Sequence, residues 1–297
     1  MTSLPGIQPH SGFIETGDAR IHYLDWRNDE PPILIVHGNT HAGGVYSPLA
    51  ERLSTDFRVI AMDLRGHGRS SKTDHYRWEA MRDDVTALID HLALKNLVVV
   101  AHSRGGGVAI LAACARQERV HGLVVFEPTV PLRLVDTCVS AEGEAAWTRD
   151  RLARSEGRRA SFPSREAAYL HYKGRGAFKG WHDEYLRAFI EHCLVDNGAG
   201  GCELASRPEV ESELVMARPD MQGWEGIGTC HVPVLALYGA DSGRIGNRSN
   251  DSREAIRTIF PDTRIEVMEN STHSAPMEQP AHFESLIRTF VSQLQKS

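Results

Sequence analysis

The sequence predicts an α/β protein, a mostly parallel sheet flanked by helices, with a helical segment inserted late in the sheet. Three observations carry this. Short apolar runs rich in β-branched residues recur through the first half of the chain, bounded by turn residues. Helical patterns separate them, as parallel strands require. From about Pro131 to Glu225 the rhythm stops, and it then resumes.

The elements follow in order. Gly12–Thr16 and Arg20–Leu24 alternate and flank a Gly-Asp turn, so they read as an antiparallel edge hairpin. Ile33–Val36, Phe57–Met62, Leu97–Ala101 and Leu123–Phe126 are the buried runs. Tyr76–Leu92 places Met81, Val85, Leu88, Ile89 and Leu92 on one helical face. The alanine-rich stretch Gly105–Arg116 forms the next helix. After the insertion come a strand at Val234–Tyr238, a helix near Ser252–Phe260, a strand at Arg264–Met268 and a final helix at Ala281–Leu294. These make eight strands. The expected organisation is a core of residues 1–130 and 226–297 with a helical cap at 131–225, a stretch richer in charge and without a clear buried strand.

Composition narrows the class. The chain has 297 residues, 41% of them hydrophobic, enough for a sizeable core. A net charge of −6 gives no reason to expect a nucleic-acid partner. The arginines of 149–165 are interleaved with Asp150 and Glu156 and read as a solvated helical face. Five cysteines without a CxxC pair disfavour a disulfide framework or a zinc site, and fit a reducing cytoplasm. Neither a signal peptide nor an apolar run of membrane-spanning length is visible. The expectation is a cytoplasmic protein without a cofactor, a metal or a membrane span, whose partner is a small-molecule substrate.

The strongest chemical signal is Leu97-Val-Val-Val-Ala-His-Ser-Arg-Gly-Gly-Gly107. A strand ends, a serine follows and a helix begins at once. The sharp turn needs small residues two before and two after the serine; Gly105 and Ala101 fill those places, with alanine where glycine is commoner. Such an elbow exposes the Ser103 hydroxyl at the carboxyl edge of the sheet. It also aims the Arg104 backbone N–H, at a helix N-terminus, at developing negative charge.

Three further segments join it in chain order: His37-Gly38-Asn39, Asp63-Leu-Arg-Gly-His-Gly-Arg-Ser70 and His273-Ser-Ala-Pro-Met-Glu-Gln-Pro280. Together the four resemble the α/β-hydrolase superfamily, in its serine-nucleophile branch with a helical cap. The resemblance covers roughly 12–130 and 226–297 and is weak in the cap. It implies Ser103 as nucleophile, His273 as general base, and the backbone N–H groups of Asn39 and Arg104 as the oxyanion hole. His37 and His67 lie in turn motifs and read as packing residues, while His102 flanks the elbow.

The orienting acid has two candidates. Asp241 lies in the loop after Val234–Tyr238, where the family commonly keeps its acid, but one position early. Glu127 ends the strand Leu123–Phe126, 24 residues after Ser103, a spacing found in haloalkane dehalogenases of similar fold. A buried glutamate there would need a partner, and Glu127 is placed first. The HGN segment also resembles those dehalogenases, but they need a carboxylate nucleophile where this chain has Ser103. The implied activity is hydrolysis of an ester-like bond of a small or medium apolar substrate. Alternatives on the same fold are a carbon–carbon bond hydrolase, a cofactor-free oxygenase or a non-turnover small-molecule receptor. The cap aromatics Trp147, Phe162, Tyr169, Tyr172, Trp181, Tyr185, Phe189 and Trp224 are expected to pack the cap helices and in part to line the pocket.

Overall fold

The computed structural model describes residues 8–131, 141–217, 224, 227, 230–242 and 247–296. Eight strands form one sheet: β1 (His10–Thr16), β2 (Ala19–Trp26), β3 (Pro32–Val36), β4 (Arg58–Met62), β5 (Leu97–His102), β6 (Val120–Phe126), β10 (Val234–Gly239) and β11 (Arg264–Met268). Their order across the sheet is β1-β2-β4-β3-β5-β6-β10-β11. β1 pairs antiparallel with β2 and β2 with β4; the remaining pairs are parallel. The edge hairpin and the eight-strand count agree with the sequence reading.

The pleat explains why the central strands are apolar throughout. Leu34, Val36, Val99 and Ala101 face a layer made by α2 (Trp78–His91), α3 (Arg104–Ala115) and α8 (Asn247–Ile259). Their neighbours Ile33, Ile35, Val98 and Val100 face α1 (Ser47–Leu53) and α9 (Pro280–Leu294) on the other side. Both faces are covered, so both sets of side chains must be hydrophobic.

Between β6 and β10 the described chain forms α4 (Ala141–Glu156), α5 (Arg165–Tyr172), α6 (Asp183–His192) and α7 (Pro208–Met216). It also forms a small sheet, β7 (Ser161–Phe162), β8 (Leu194–Asp196) and β9 (Cys202–Leu204), in the order β7-β9-β8. The stretch expected to be helical thus also holds three short, partly exposed strands. Strands of two or three residues are too short for alternation to register. The turn that joins β8 to β9 is set by glycines at φ 73° (Gly198) and 82° (Gly200). The Asn197 side chain accepts the N–H groups of Ala199 and Gly201 within it. The anticipated boundary at 225–226, the Trp147 side chain and Cys138 lie outside the described residues. Among the described residues no helix is long and apolar enough to cross a membrane.

Candidate active site

β5 ends at His102 and α3 begins at Arg104, which leaves Ser103 alone to reverse the chain direction. Its backbone sits at φ 55°, ψ −119°, a conformation that L side chains rarely adopt. The surroundings hold it there: its N–H donates to Phe126 O (2.9 Å) and its carbonyl accepts from Thr129 N (2.8 Å). Such strain, of order 1–3 kcal/mol, persists only where neighbours over-determine it. Gly105 meets the demand for a small residue, since a Cβ there would lie 2.3 Å from His37 O. Ala101 is buried between Val36 and Val125 of the neighbouring strands.

His273 reaches Ser103 from the loop after β11. Its Nε2 is 3.0 Å from Ser103 Oγ. Its Nδ1 is 2.6 Å from Oε2 of Glu127, whose side chain is 1% exposed. A carboxylate only accepts, so Nδ1 carries the proton and Nε2 is left to accept from the serine hydroxyl. Glu127 follows β6 in a left-handed turn (φ 41°), and its other oxygen accepts Gly239 N–H at 3.0 Å. The Glu-to-loop contact gives the H-x-x-x-x-E segment its purpose: Glu278 accepts the Thr272 N–H (2.8 Å) and hydroxyl, which fixes the residue before His273. Asp241 is not brought to the histidine. It is exposed, and its N–H donates to Ser271 O at 2.8 Å.

The turn after β3 packs on the nucleophile. A Cβ at Gly38 would lie 3.1 Å from Ser103 Cβ, tighter than an ordinary contact, so glycine keeps this turn from crowding the nucleophile. Asn39 is half-buried, and among the described residues its Oδ1 has no hydrogen-bond partner. Arg104 supplies its backbone at the start of α3, while its buried guanidinium does something the sequence did not indicate. It donates to Leu214 O and Ala217 O at the end of α7 and lies 4.8 Å over the Trp78 ring. Trp78 Nε1 donates to the same Ala217 carbonyl at 3.0 Å. Burial, then the charge of Arg151, pushes the Arg104 guanidinium below its ordinary range.

His102, which flanks the elbow in the sequence, makes bonds that the sequence did not indicate. Its Nε2 is 2.9 Å from His273 O and its Nδ1 2.8 Å from Tyr46 Oη. The carbonyl accepts only, so Nε2–H donates and Nδ1 accepts from the phenol, whose proton burial holds more firmly than usual. The two imidazole rings lie 4.7 Å apart. No local pattern links Tyr46 to His102; the one hint is that His102 precedes the serine. His41 extends this group, 5.7 Å from the His102 ring and 5.5 Å from Trp181. Burial, followed by the neighbouring His102 and His37, holds His41 well below the ordinary histidine range. From the insertion, Phe178, Trp181 and Phe189 pack on one another at 4.8–6.2 Å, and Trp181 and Phe189 both face His41. His37 and His67 are packing residues in the structure too, with rings 5.1 Å apart and both fully buried.

The chain is similar to known proteins over most of its length. The sn-1-specific diacylglycerol lipase ABHD11 of Danio rerio is 25% identical over 90% of this chain and 80% of its own. The bifunctional esterase/perhydrolase DCH of Acinetobacter calcoaceticus is 28% identical over 77% of this chain and 82% of its own. The solved structure of E-2-(acetamidomethylene)succinate hydrolase shares the fold, with a TM-score of 0.78 at 22% identity, covering 96% of this chain and 99% of that one. Residues 33–283 match the alpha/beta hydrolase family, and with the sheet order and elbow described above this chain belongs to that family and is a hydrolase.

Proposed function

We propose that this hydrolase cleaves carboxylic esters of small or medium apolar alcohols and acids through an acyl-enzyme on Ser103. The observation that carries the reading is the unbroken chain Ser103 Oγ–His273–Glu127, with contacts of 3.0 and 2.6 Å. A serine hydroxyl is a weak nucleophile near neutral pH. His273 Nε2 takes its proton as Oγ attacks the carbonyl carbon, and Glu127 steadies the imidazolium that forms. The Asn39 and Arg104 N–H groups receive the oxyanion. His273 then protonates the leaving alkoxide, and a water activated in the same way releases the acid.

Residues 131–225 act as the cap over this chemistry. The aromatic group of Phe178, Trp181 and Phe189 next to His41 supports an apolar acyl or alcohol pocket. The test is steady-state hydrolysis of a series of p-nitrophenyl esters from acetate to octanoate by the intact enzyme and by Ser103→Ala. Turnover that falls by roughly 10⁶ in the variant is expected, as for loss of the nucleophile in other serine hydrolases. Full activity in Ser103→Ala, or a single burst with no turnover of any ester in the intact chain, overturns the proposal.

A further inference from the structure

A second serine, histidine and aspartate are joined in series at the other end of the sheet. Ser11 lies on β1, His22 on β2 and Asp63 directly after β4, and these three strands are neighbours. The antiparallel register sets His22 opposite Phe13, so alternation places Ser11, two residues earlier, on the same face as His22. Asp63 enters beside His22 because its N–H donates to the His22 carbonyl at 2.9 Å. The side chains then meet: Ser11 Oγ is 2.9 Å from His22 Nε2, and His22 Nδ1 is 2.8 Å from Asp63 Oδ2. The connectivity is that of Ser103, His273 and Glu127.

The electrostatics suit the same roles. Asp63 and His22 are buried, and Ser11 is exposed. The Asp63 carboxylate also accepts the N–H groups of Gly43 (2.7 Å) and Arg69 (2.9 Å). Burial would raise its carboxyl, but the pairing with His22, the nearby His37 and the Arg69 N–H hold it below the usual carboxylate range. An ionised Asp63 fixes the proton on His22 Nδ1 and leaves Nε2 as the acceptor for the Ser11 hydroxyl. Arg69 Nη1 donates to Ser11 Oγ at 2.9 Å, a fixed positive charge beside the nucleophile that favours loss of its proton.

We propose that Ser11 is a second acyl-accepting nucleophile, activated by His22 and Asp63, for small activated esters that reach an open surface. Ser11 Oγ forms the new C–O bond, its proton passes to His22 Nε2, and the C–O bond to the leaving alkoxide breaks as that proton is handed on. Ser11 lies in a regular extended strand and has no elbow to aim two backbone N–H groups at an oxyanion, as proposed at Ser103. Loss of a single oxyanion donor slows acyl transfer by about 10²–10³. Ser11 is thus expected to acylate at least about 10²–10³ times more slowly than Ser103 and to deacylate far more slowly still, so that it takes up one acyl group and adds no measurable steady-state turnover.

The inference stands apart from the Ser103 reading and is tested without it. Ser103→Ala protein is incubated with p-nitrophenyl acetate, and the acetylated residue is mapped by peptide mass spectrometry over time. One acetyl group on Ser11 is expected, formed at least 100-fold more slowly when His22→Gln is added, since a general base contributes about 10²–10⁴. Absence of acetyl at Ser11, or acetylation that ignores His22→Gln, overturns it. Because His22 is buried, a second variant guards the test. Ser11→Cys lies on the exposed edge strand, and its thiol facing His22 is expected to react with iodoacetamide at pH 6 at least 10-fold faster than glutathione does. A rate equal to that of glutathione overturns the proposal as well.

Discussion

Replacing Glu127 by glutamine keeps the shape of the site and removes one charge, and the structure dictates which way the new amide turns. Gly239 N–H donates to Oε1 at 3.0 Å and is buried, so the amide oxygen must stay there to accept it. The amide NH₂ then faces His273 Nδ1 at the position now held by Oε2, 2.6 Å away. An NH₂ group only donates, which strips the proton from Nδ1 and moves it to Nε2. Nε2–H points at Ser103 Oγ and no longer accepts its proton. The same change in a serine protease, aspartate to asparagine, lowers kcat by about 10⁴ through the wrong tautomer. That corresponds to about 5.5 kcal/mol of transition-state stabilisation. The expected loss for Glu127→Gln is of this order in kcat, with KM changed by less than about 3-fold, because substrate binding does not touch the buried carboxylate. Asp241→Asn, at an exposed residue, is expected to stay within about 2-fold of the parent. The assay is p-nitrophenyl ester hydrolysis by both variants, with circular dichroism to confirm folding. A Glu127→Gln loss below 10-fold, or an Asp241→Asn loss above 100-fold, refutes the reasoning.

Three further outcomes are expected. His102→Leu removes the donor to His273 O, a neutral hydrogen bond worth about 1–1.5 kcal/mol, so kcat should fall roughly 10-fold. His102→Gln, whose amide N–H reaches the same carbonyl, should restore most of that loss; equal kcat in the two variants would show that the bond does not position the histidine. Arg104→Met takes the guanidinium donor from the Leu214 carbonyl and leaves Ala217 O to Trp78 alone, and should lower unfolding stability by about 1–3 kcal/mol in urea titrations, with kcat within roughly 5-fold because the backbone N–H remains. A collapse of kcat in a folded Arg104→Met protein would move the oxyanion role to the side chain. Stability should also fall as pH drops below 6.5. Burial holds His67 neutral down to about 3 and lowers His37 as well, so the unfolded chain takes up protons that the folded chain refuses. For His67 that loss begins at the unfolded value of 6.5 and continues to about 3, at up to about 1.4 kcal/mol per pH unit, and His37 adds to it in the same direction. Urea midpoints that stay level between pH 7 and 5 would contradict this.

Much of the fold was legible because the central strands are buried on both faces, which turns Leu97–Ala101 and Leu123–Phe126 into unbroken apolar runs. The elbow was equally legible, since a strand, a serine and a helix in immediate succession leave one residue to make the turn. Two kinds of feature were not. Strands β7, β8 and β9 hold two or three residues each and carry no period. The other kind is side-chain partnership across the sheet. Spacing put Glu127 ahead of Asp241 without deciding between them: Glu127 and His273 are 146 residues apart, and their meeting depends on the left-handed turn at Glu127 and on Gly239 N–H holding the far oxygen. Asp241 looked plausible from its place after β10, but the loop turns it outward and only its backbone reaches Ser271. Tyr46 with His102, and Ser11 with His22 and Asp63, are set by strand order and register, which no local pattern encodes.

The most direct test of the central claim is to treat the intact protein with a fluorophosphonate probe for a short time and map the modified residue by mass spectrometry. Rapid, stoichiometric labelling at Ser103, with parallel loss of esterase activity and with Ser103→Ala unlabelled on that timescale, is the predicted result. Rapid labelling of any other residue, or full inhibition with Ser103 unmodified, would contradict it.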